Sequence, residues 1–556
     1  MLKNKKNRII SLVLTVALAG SVMAGCASKS SEPGKAGGAA TSQQILRYNL
    51  GADPKTIDPG LNSSVEGGTV IVNAFEGLTN IDSKEQVVPG AAEKWDISPD
   101  GLKYTFYIRK DAKWSDGQPV KAQDFEYAWK RALDPDVASE YAYQLYYLKN
   151  GQKYNEKKAN KDEVGVKAVN DTTLEVTLEN STPYFLSLTA FPTYMPLRQD
   201  IVEKDKEGWA TKGETYIGNG PFKMKEWRPK DKMVFEKNPN YWNKDKVKLE
   251  TIEYTLIDQE TSYMSAFNAG QIDYIESPPT EQIPTLLANK TAQVFPYLGT
   301  YYYSFNISKD ADKIDPAVAK VLKDVRVRKA ISLAIDREAL VKNVTKGGQN
   351  PATSFVPKGI AEAAGKDFKS KDYYKSTADV ETAKKLLAEA GYPDGQGIPT
   401  LEILYNSGQG HQDIATAVQD MLKKNLGINV TLRNVERKVQ LDETSNHKYP
   451  AIARNGWIAD YADPMTFLDM WTSTSGNNVA GYNNPEYDKL IEQAKSESDS
   501  AKRMALMHQA EDILMNDMPI IPLYEYTNIA CIKPYVKNVH KSPLGMVYFN
   551  ETYIEK

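Results

Sequence analysis

The sequence predicts an α/β protein with mixed, partly parallel sheets and more than one domain. Two observations favour this class. Between residues 377 and 432 the apolar spacing alternates between helix and strand, which is the pattern of a βαβ unit with parallel strands. The chain of 556 residues is also too long for one hydrophobic core and indicates about two to four domains.

The N-terminal segment differs in composition from the rest of the chain. Residues 1–8 are basic, residues 9–23 are mostly apolar, and small residues precede Cys26, which is the layout of a signal peptide over 1–25. The position of Cys26 indicates a role for this residue at the cleavage site; the alternative is an ordinary signal peptide in which the cysteine occurs by chance. Residues 26–44 are rich in Ser, Gly and Ala and predict a flexible tether. No later stretch reaches the ~20 apolar residues of a spanning helix, so the remainder is expected outside the cell.

The first part after the tether predicts a short strand and a helix, then a small α+β unit. The strand covers 45–50 and the helix 70–78. Between about 80 and 190, alternating apolar positions predict strands around one amphipathic helix, including a hairpin at 164–169 and 174–178.

A second unit follows, in which helices and strands alternate. Its tail, up to residue 556, is too short for a separate domain and is expected to return to the first one. The main predicted elements are an aromatic strand at 300–306, strands at 401–405, 428–432 and 520–526, and helices at 414–422 and near 484–510.

The most informative stretch is 451–464. It opens as a buried strand, and we expect Asn455–Gly456 to break it because this pair suits sharp backbone turns. Asp460 then lies between Trp457 and Tyr461. Aromatic neighbours lower the local dielectric, so a carboxylate there needs a cationic partner. Taken alone, Asp460 would cap the following helix or pair with a neighbouring arginine; the rest of the chain favours a binding role.

Composition argues against several function classes. Without the four basic residues of the signal peptide the net charge falls from −3 to −7, which disfavours a nucleic-acid partner. Two cysteines and four scattered histidines show no metal-ligand spacing, so no cofactor or metal is predicted. The Ser-Gly-Gln-Gly after Asn406 is not a nucleophile elbow, so no enzyme activity is expected. A structural or adhesive protein would show internal repeats, and the sequence has none.

Six separate motifs carry a family resemblance. They are 73–78 (NAFEGL), 113–117 (KWSDG), 219–222 (NGPF), 238–242 (NPNYW), 324–330 (DVRVRKA) and 457–464 (WIADYADP). In this order they resemble the extracytoplasmic oligopeptide-binding proteins of bacterial ABC importers, the peptide/nickel-binding class of solute-binding proteins. The resemblance extends from about residue 46 to the C-terminus. The small residues before Cys26 resemble the lipobox of bacterial lipoproteins.

The resemblance implies a two-lobed, periplasmic-binding-protein-like α/β fold that encloses a peptide between its lobes. Three discontinuous domains with mixed sheets are expected. They are domain I at 45–76, 191–298 and 528–556, domain II at 77–190 as a small α+β insertion, and domain III at 299–527.

The resemblance also implies roles for particular residues. The acid Asp460 would bind the peptide α-ammonium, and Arg454 or His411 would meet the peptide C-terminus. The other implied peptide-binding residues are Asn455, Gly456 and Trp457 through their backbone, Val65 in the loop before the first helix, and Tyr141 and Tyr302 as cavity walls. Relatives often have a tryptophan near position 437 and further basic residues near position 445, where this sequence has Arg437 and Ser445.

The implied function is capture of extracellular oligopeptides and their delivery to an ABC permease. The protein is expected to act as a monomer, anchored to the outer face of the cell membrane through a diacylated, palmitate-type lipid on Cys26. The alternative is the same fold binding another solute: a signalling peptide, haem, a nickel chelate or an oligosaccharide. Free nickel would normally need a histidine pair, and none is evident.

Overall fold

The computed structural model describes residues 43–362 and 366–556. The predicted signal peptide, Cys26 and nearly all of the predicted tether lie outside the described residues. Within the described part, none of the helices combines the length and the apolar character needed to cross a lipid bilayer.

The strands fall in two main groups, one early in the chain and one that spans nearly its whole length. In chain order the strands of the described residues are β1 (Ile45–Asn49), β2 (Thr79–Ile81), β3 (Val87–Pro89), β4 (Ala92–Ile97), β5 (Lys103–Ile108), β6 (Val166–Asn170), β7 (Thr173–Thr177), β8 (Phe222–Arg228), β9 (Lys232–Lys237), β10 (Thr251–Thr255), β11 (Tyr274–Glu276), β12 (Ala292–Phe305), β13 (Asn350–Pro351), β14 (Leu401–Asn406), β15 (Val430–Val435), β16 (Ile452–Ile458), β17 (Ile520–Ile532), β18 (Val536–Lys537), β19 (His540–Lys541), β20 (Val547–Tyr548) and β21 (Tyr553–Ile554).

Most long helices lie in the second half of the chain. In chain order the α-helices of the described residues are α1 (Val65–Ala74), α2 (Ala122–Ala132), α3 (Gly151–Asn155), α4 (Phe185–Leu188), α5 (Gln199–Val202), α6 (Glu260–Asn268), α7 (Ile283–Ala288), α8 (Ala311–Ile314), α9 (Pro316–Lys323), α10 (Val325–Leu333), α11 (Arg337–Ala339), α12 (Val380–Glu389), α13 (Gln409–Leu426), α14 (Arg437–Ser445), α15 (Met465–Leu468), α16 (Pro485–Ser496) and α17 (Ser500–Asp517).

The largest sheet is mixed, as the sequence predicted. Its strand order is β15-β14-β16-β12-β17-β11-β1-β10-β9-β8, and β13 pairs with β17. β14 and β15 are parallel and are joined by α13, so the predicted βαβ unit is confirmed. The helix ends at Gly427, whose φ of +71° provides the left-handed C-cap that glycine adopts without strain.

A separate antiparallel sheet of four strands, in the order β4-β5-β7-β6, forms within 92–177. Helix α2 packs on it, which gives the predicted small α+β unit. The C-terminal tail returns to the start of the chain: Asn73 in α1 donates to the Val547 carbonyl at 2.8 Å and accepts from the Phe549 amide at 2.8 Å. The division into three domains stays a prediction.

Two strands are longer than the others and pair with each other, β12 with β17. Residues 292–296 pair with 527–531, and residues 300–304 pair with 520–525. Between these two blocks the ladder is interrupted. There the Leu298 amide donates to the Pro543 carbonyl at 2.8 Å, and its carbonyl accepts from the amide of Ala459 at 2.8 Å. This interruption therefore anchors the chain just before Asp460.

Two predicted helices differ from the structure. The first helix covers Val65–Ala74 rather than 70–78, because Ser64 caps it by accepting from the amide of Gly67. Val65 is consequently the first residue of α1, not part of the preceding loop. The predicted single helix near 484–510 is two helices, α16 and α17, because Asp499 starts a second one by accepting from the amide of Lys502.

Candidate functional site

Strand β16 has one fully paired edge and one largely open edge. β12 pairs with it over its whole length, from Ile452 to Ile458. On the other side, the ladder to β14 covers only Ile452 and Ala453. From Arg454 to Ile458 this edge therefore has no strand partner in the described part of the chain. An open edge of this kind is a template on which an extended peptide can add as a further strand.

The predicted break at Asn455–Gly456 is wrong, because β16 continues through both residues. The glycine serves another purpose. A Cβ atom at position 456 would lie 2.3 Å from the hydroxyl oxygen of Tyr526, which is far closer than non-bonded atoms allow. Gly456 thus permits the close approach of Tyr526 to the strand.

The carboxylate of Asp460 is buried and is held by three donors from a distant segment. Oδ1 accepts from the Tyr141 hydroxyl at 3.2 Å. Oδ2 accepts from the Tyr143 hydroxyl at 3.0 Å and from Nε2 of Gln144 at 2.7 Å. These residues lie at the short 3-10 turn Ala142–Leu145, between two strands of the small sheet. Asp460 therefore links the two parts of the fold that carry the large and the small sheet.

Asp460 has no cationic partner in the described chain. Burial raises the pKa of its carboxyl to about 7, although the hydrogen bonds from Tyr143, Tyr141 and Gln144 favour the ionised form and lower it. The nearby negative charge of Asp469 raises the pKa further. A cation bound at this point would reverse the shift, because an opposite charge stabilises the carboxylate.

The two structural roles considered for Asp460 belong to its neighbours. Asp463 accepts from the amide of Met465 at the start of α15, at 2.9 Å. The same carboxylate forms a bidentate pair with Arg503, with distances of 2.7 and 2.8 Å. Asp469 lies 3.4 Å from Lys495. Asp460 differs from these two acids because no lysine or arginine of the described residues neutralises it.

Cationic groups gather near the other end of the open edge. Arg454 is buried, and its guanidinium lies over the ring of Tyr301 at 4.8 Å from the centroid. It donates to Oδ1 of Asn406 at 3.2 Å and to the Tyr526 hydroxyl at 3.3 Å, while its Nε is buried without an acceptor in the described chain. Arg454 forms no ion pair with a described carboxylate. A buried, unpaired guanidinium is costly, and a carboxylate ligand would remove that cost.

Two further basic side chains lie beside Arg454. Nδ1 of His411 is 3.2 Å from the Tyr301 hydroxyl. Burial, together with the charges of Arg454 and Arg437, lowers the pKa of His411 to about 2, so its imidazole is neutral. Desolvation and the charge of Arg454 lower the pKa of the Arg437 guanidinium to about 10. The cluster therefore carries two positive charges that repel each other.

The remaining predicted residues lie in different surroundings. Asn455 is buried and donates to the hydroxyl of Ser304 at 2.8 Å. Trp457 is half-buried, and its indole N–H has no acceptor within the described ranges. Tyr302 is buried and packs edge-on against Phe355 and Trp471, and its role as a cavity wall stays a prediction. No three His, Cys, Asp or Glu side chains in the described chain converge so that they could hold a metal ion.

The family model of the bacterial extracellular solute-binding proteins, family 5 (middle region), matches residues 86–479 of the chain. The chain belongs to this family. The family consists of solute-binding proteins rather than enzymes, and its description places its members outside the cell, as predicted for the chain after the tether. The predicted two-lobed, mixed α/β class is also confirmed by the structural relatives.

This family 5 protein resembles characterised proteins over nearly its whole length. It is 43% identical over 523 residues to the oligopeptide-binding protein OppA of Bacillus subtilis, with 92% of each chain covered. The structure of the murein tripeptide binding protein MppA of Escherichia coli matches with a TM-score of 0.82 and 36% identity, covering 93% of this chain and 99% of that one. Haemophilus influenzae OppA in complex with RPPGFSPFR matches with a TM-score of 0.81 and 35% identity, with the same coverage.

Four residues of the candidate site were not expected from the sequence. Tyr143 and Gln144 meet Asp460 although more than 300 positions separate them along the chain. Tyr301 and Tyr526 contact Arg454. The alternation of β12 predicts that neighbouring tyrosines face opposite sides of the sheet, but it does not predict which side contacts Arg454.

Proposed function

We propose that the protein captures extracellular oligopeptides between its two lobes and delivers them to the permease of an ABC importer. One observation supports this most directly: an unpaired buried carboxylate, Asp460, and an unpaired guanidinium, Arg454, lie near opposite ends of one open strand edge. The names of the relatives, an oligopeptide-binding and a murein tripeptide binding protein, agree with this function.

The arrangement suits ligands of many sequences. All linear peptides share a backbone and two charged termini, so a strand edge and two opposite charges can bind them without reading side chains. A carboxylate that meets an ammonium away from water forms a strong charge-assisted hydrogen bond. Side chains that point into hydrated pockets are tolerated because bridging waters replace direct contacts at little cost.

In this proposal Asp460 binds the peptide α-ammonium and Tyr141 supports it, while Arg454, with His411 or Arg437, meets the C-terminal carboxylate. The backbone of Asn455–Trp457 pairs with the peptide, and Val65 contacts its other edge. The protein works as a monomer with the three-domain division given above, and it closes around the ligand by a hinge motion.

Mass spectrometry of the protein purified under native conditions tests the proposed function. Co-purifying peptides, displaced by an added synthetic oligopeptide, are the expected result. Recovery of haem, a nickel chelate or an oligosaccharide would instead favour the alternative. If neither the native preparation nor a refolded, ligand-depleted one binds any oligopeptide, the proposal is wrong.

Peptide affinity is expected to fall as the pH decreases below about 7. The pKa of Asp460 is about 7 in the ligand-free protein, and the α-ammonium lowers it in the complex, so binding requires loss of the proton. The contribution is therefore fully present above pH 7 and decreases by up to about tenfold per unit below it. Calorimetry between pH 5 and 7.5 measures this slope. Asp469, Tyr141 and Tyr143 also face Asp460, so the control is Asp460→Asn, which should flatten the profile.

Replacement of Cys26 by alanine is expected to release the protein into the medium. Stable attachment requires two acyl chains, because one chain gives only marginal membrane binding. Immunoblots of cell and medium fractions measure the distribution. Cys531→Ala is the matched control, since this cysteine is buried in β17 and should leave the distribution unchanged. Retention of the Cys26 variant at the membrane would contradict a lipid anchor at this residue.

A further inference from the structure

Gln144 combines one satisfied and one unsatisfied polar atom beside Asp460. The residue is 1% exposed, and its Nε2 donates to Oδ2 of Asp460 at 2.7 Å. Its Oε1 is buried and receives no hydrogen bond from the described residues. A buried acceptor without a donor destabilises a protein and is rare, so it requires an explanation.

The orientation of this side chain is determined by chemistry. Above about pH 7 the carboxylate of Asp460 is ionised and can only accept hydrogen bonds, so the amide nitrogen of Gln144 has to be the atom that contacts it. The backbone is fixed as well, because the hydroxyl of the buried Tyr194 donates to the Gln144 carbonyl. The indole of Trp129 in turn donates to the carbonyl of Tyr194 at 2.7 Å. Oε1 is therefore held in place before any ligand arrives.

We propose that Gln144 is a specificity-determining residue for the peptide amino terminus, because its Oε1 accepts one N–H of the ammonium while Asp460 accepts another. Oε1 and Nε2 are bonded to one carbon and Nε2 lies 2.7 Å from Oδ2 of Asp460, so Oε1 is at most about 5 Å from the carboxylate that binds the charge. This inference rests on the proposed function. It adds that the site requires a cation with at least two N–H groups, not only a positive charge.

A series of peptides with the same charge separates this requirement from simple electrostatics. An unmodified peptide carries three N–H groups on its terminal nitrogen, the N-methyl form two and the N,N-dimethyl form one. The first two forms can satisfy both acceptors, whereas the dimethyl form leaves Oε1 without a donor. The step between one and two methyl groups should therefore cost wild type about tenfold or more in affinity, which is typical of a hydrogen bond to a charged group.

Calorimetry on two variants tests the assignment. In Gln144→Met the second methyl group should cost much less affinity than in wild type. Its cost should then equal the cost of the first methyl group. The control is Tyr143→Phe, which removes the 3.0 Å bond to the same oxygen of Asp460 but keeps Oε1 of Gln144. Tyr143→Phe should lower the affinity for all three peptides by the same factor, so the loss caused by the second methyl group should stay as large as in wild type.

The outcomes distinguish this inference from the proposed function. If the unmodified peptide binds and the N-acetylated one does not, but Gln144→Met keeps the wild-type step, the role of Gln144 is wrong and the function stands. If no oligopeptide binds wild type, the function itself fails. A crystal structure of the wild-type complex gives an independent answer even if the variant does not fold: the terminal nitrogen within about 3.2 Å of Oε1 supports the inference. A water molecule bonded there instead would overturn it.

Discussion

Asp460→Ala is expected to weaken the binding of an unmodified peptide by about 30- to 5,000-fold, which corresponds to roughly 2–5 kcal/mol. The reason is that truncation leaves the α-ammonium in a water-poor site without its counter-charge. N-acetylation of the peptide removes the other member of the pair and should cost wild type a similar amount. In the Asp460 variant, acetylation should then add much less. Calorimetry on two proteins and two peptides completes this double-mutant cycle.

A neighbouring acid provides the control for this cycle. Asp463 pairs with Arg503 and starts α15, so Asp463→Asn should lower the melting temperature but preserve the preference for the unmodified peptide. Equal affinity of wild type for the unmodified and the acetylated peptide would remove Asp460 from the binding site.

Arg454→Met is expected to weaken the binding of peptides with an ionised C-terminus about as much as Asp460→Ala weakens the binding of unmodified peptides, by roughly 2–5 kcal/mol. The variant should lose much less affinity for peptides with an amidated C-terminus. The same holds for peptides whose length keeps their C-terminus away from Arg454. The same change should raise the melting temperature of the ligand-free protein, because it removes a buried guanidinium that no described carboxylate neutralises.

A substitution that lowers peptide affinity but raises the melting temperature indicates a binding residue, whereas one that lowers the melting temperature alone indicates a structural residue. Arg433 offers the contrast, since it pairs with Glu402 and Glu443 at the surface. Arg433→Met should leave the preference for ionised over amidated C-termini unchanged. A lower melting temperature in the Arg454 variant, with an unchanged preference between ionised and amidated peptides, would assign Arg454 to the framework of the fold.

Local features of the fold were predictable, because they depend on residues close together in the sequence. The βαβ unit of β14, α13 and β15 follows from apolar spacing and a terminal glycine. The start of α1 was missed because Gly67 and Gly68 are poor helix formers. A Cβ at Gly67 would lie 2.0 Å from Oδ1 of Asn62, so the glycine is needed for the preceding loop to pack closely against α1.

The candidate site was only partly predictable. Asp460 stands out because a carboxylate among aromatics needs a partner, and the family resemblance suggests which one. Its donors Tyr143 and Gln144 come from a turn that meets it only in the folded chain, and a glutamine within a run of tyrosines has no distinctive pattern. Gly456 misled for a related reason. A glycine in a sequence can indicate either a turn or a close contact with another side chain, and only the tertiary structure shows which of the two applies.

The unpaired charges along β16 have a directional consequence. With its ammonium at Asp460 and its carboxylate towards Arg454, a bound peptide runs opposite to the strand it joins. A peptide inserted the other way would bring its negative terminus to an acid and its positive terminus to an arginine. A head-to-tail cyclic peptide has neither terminus to offer. The site would thus read the polarity of a chain. A reversed-sequence peptide keeps both charged termini and would bind in the same direction, whereas a ring-closed analogue would lose both ion pairs.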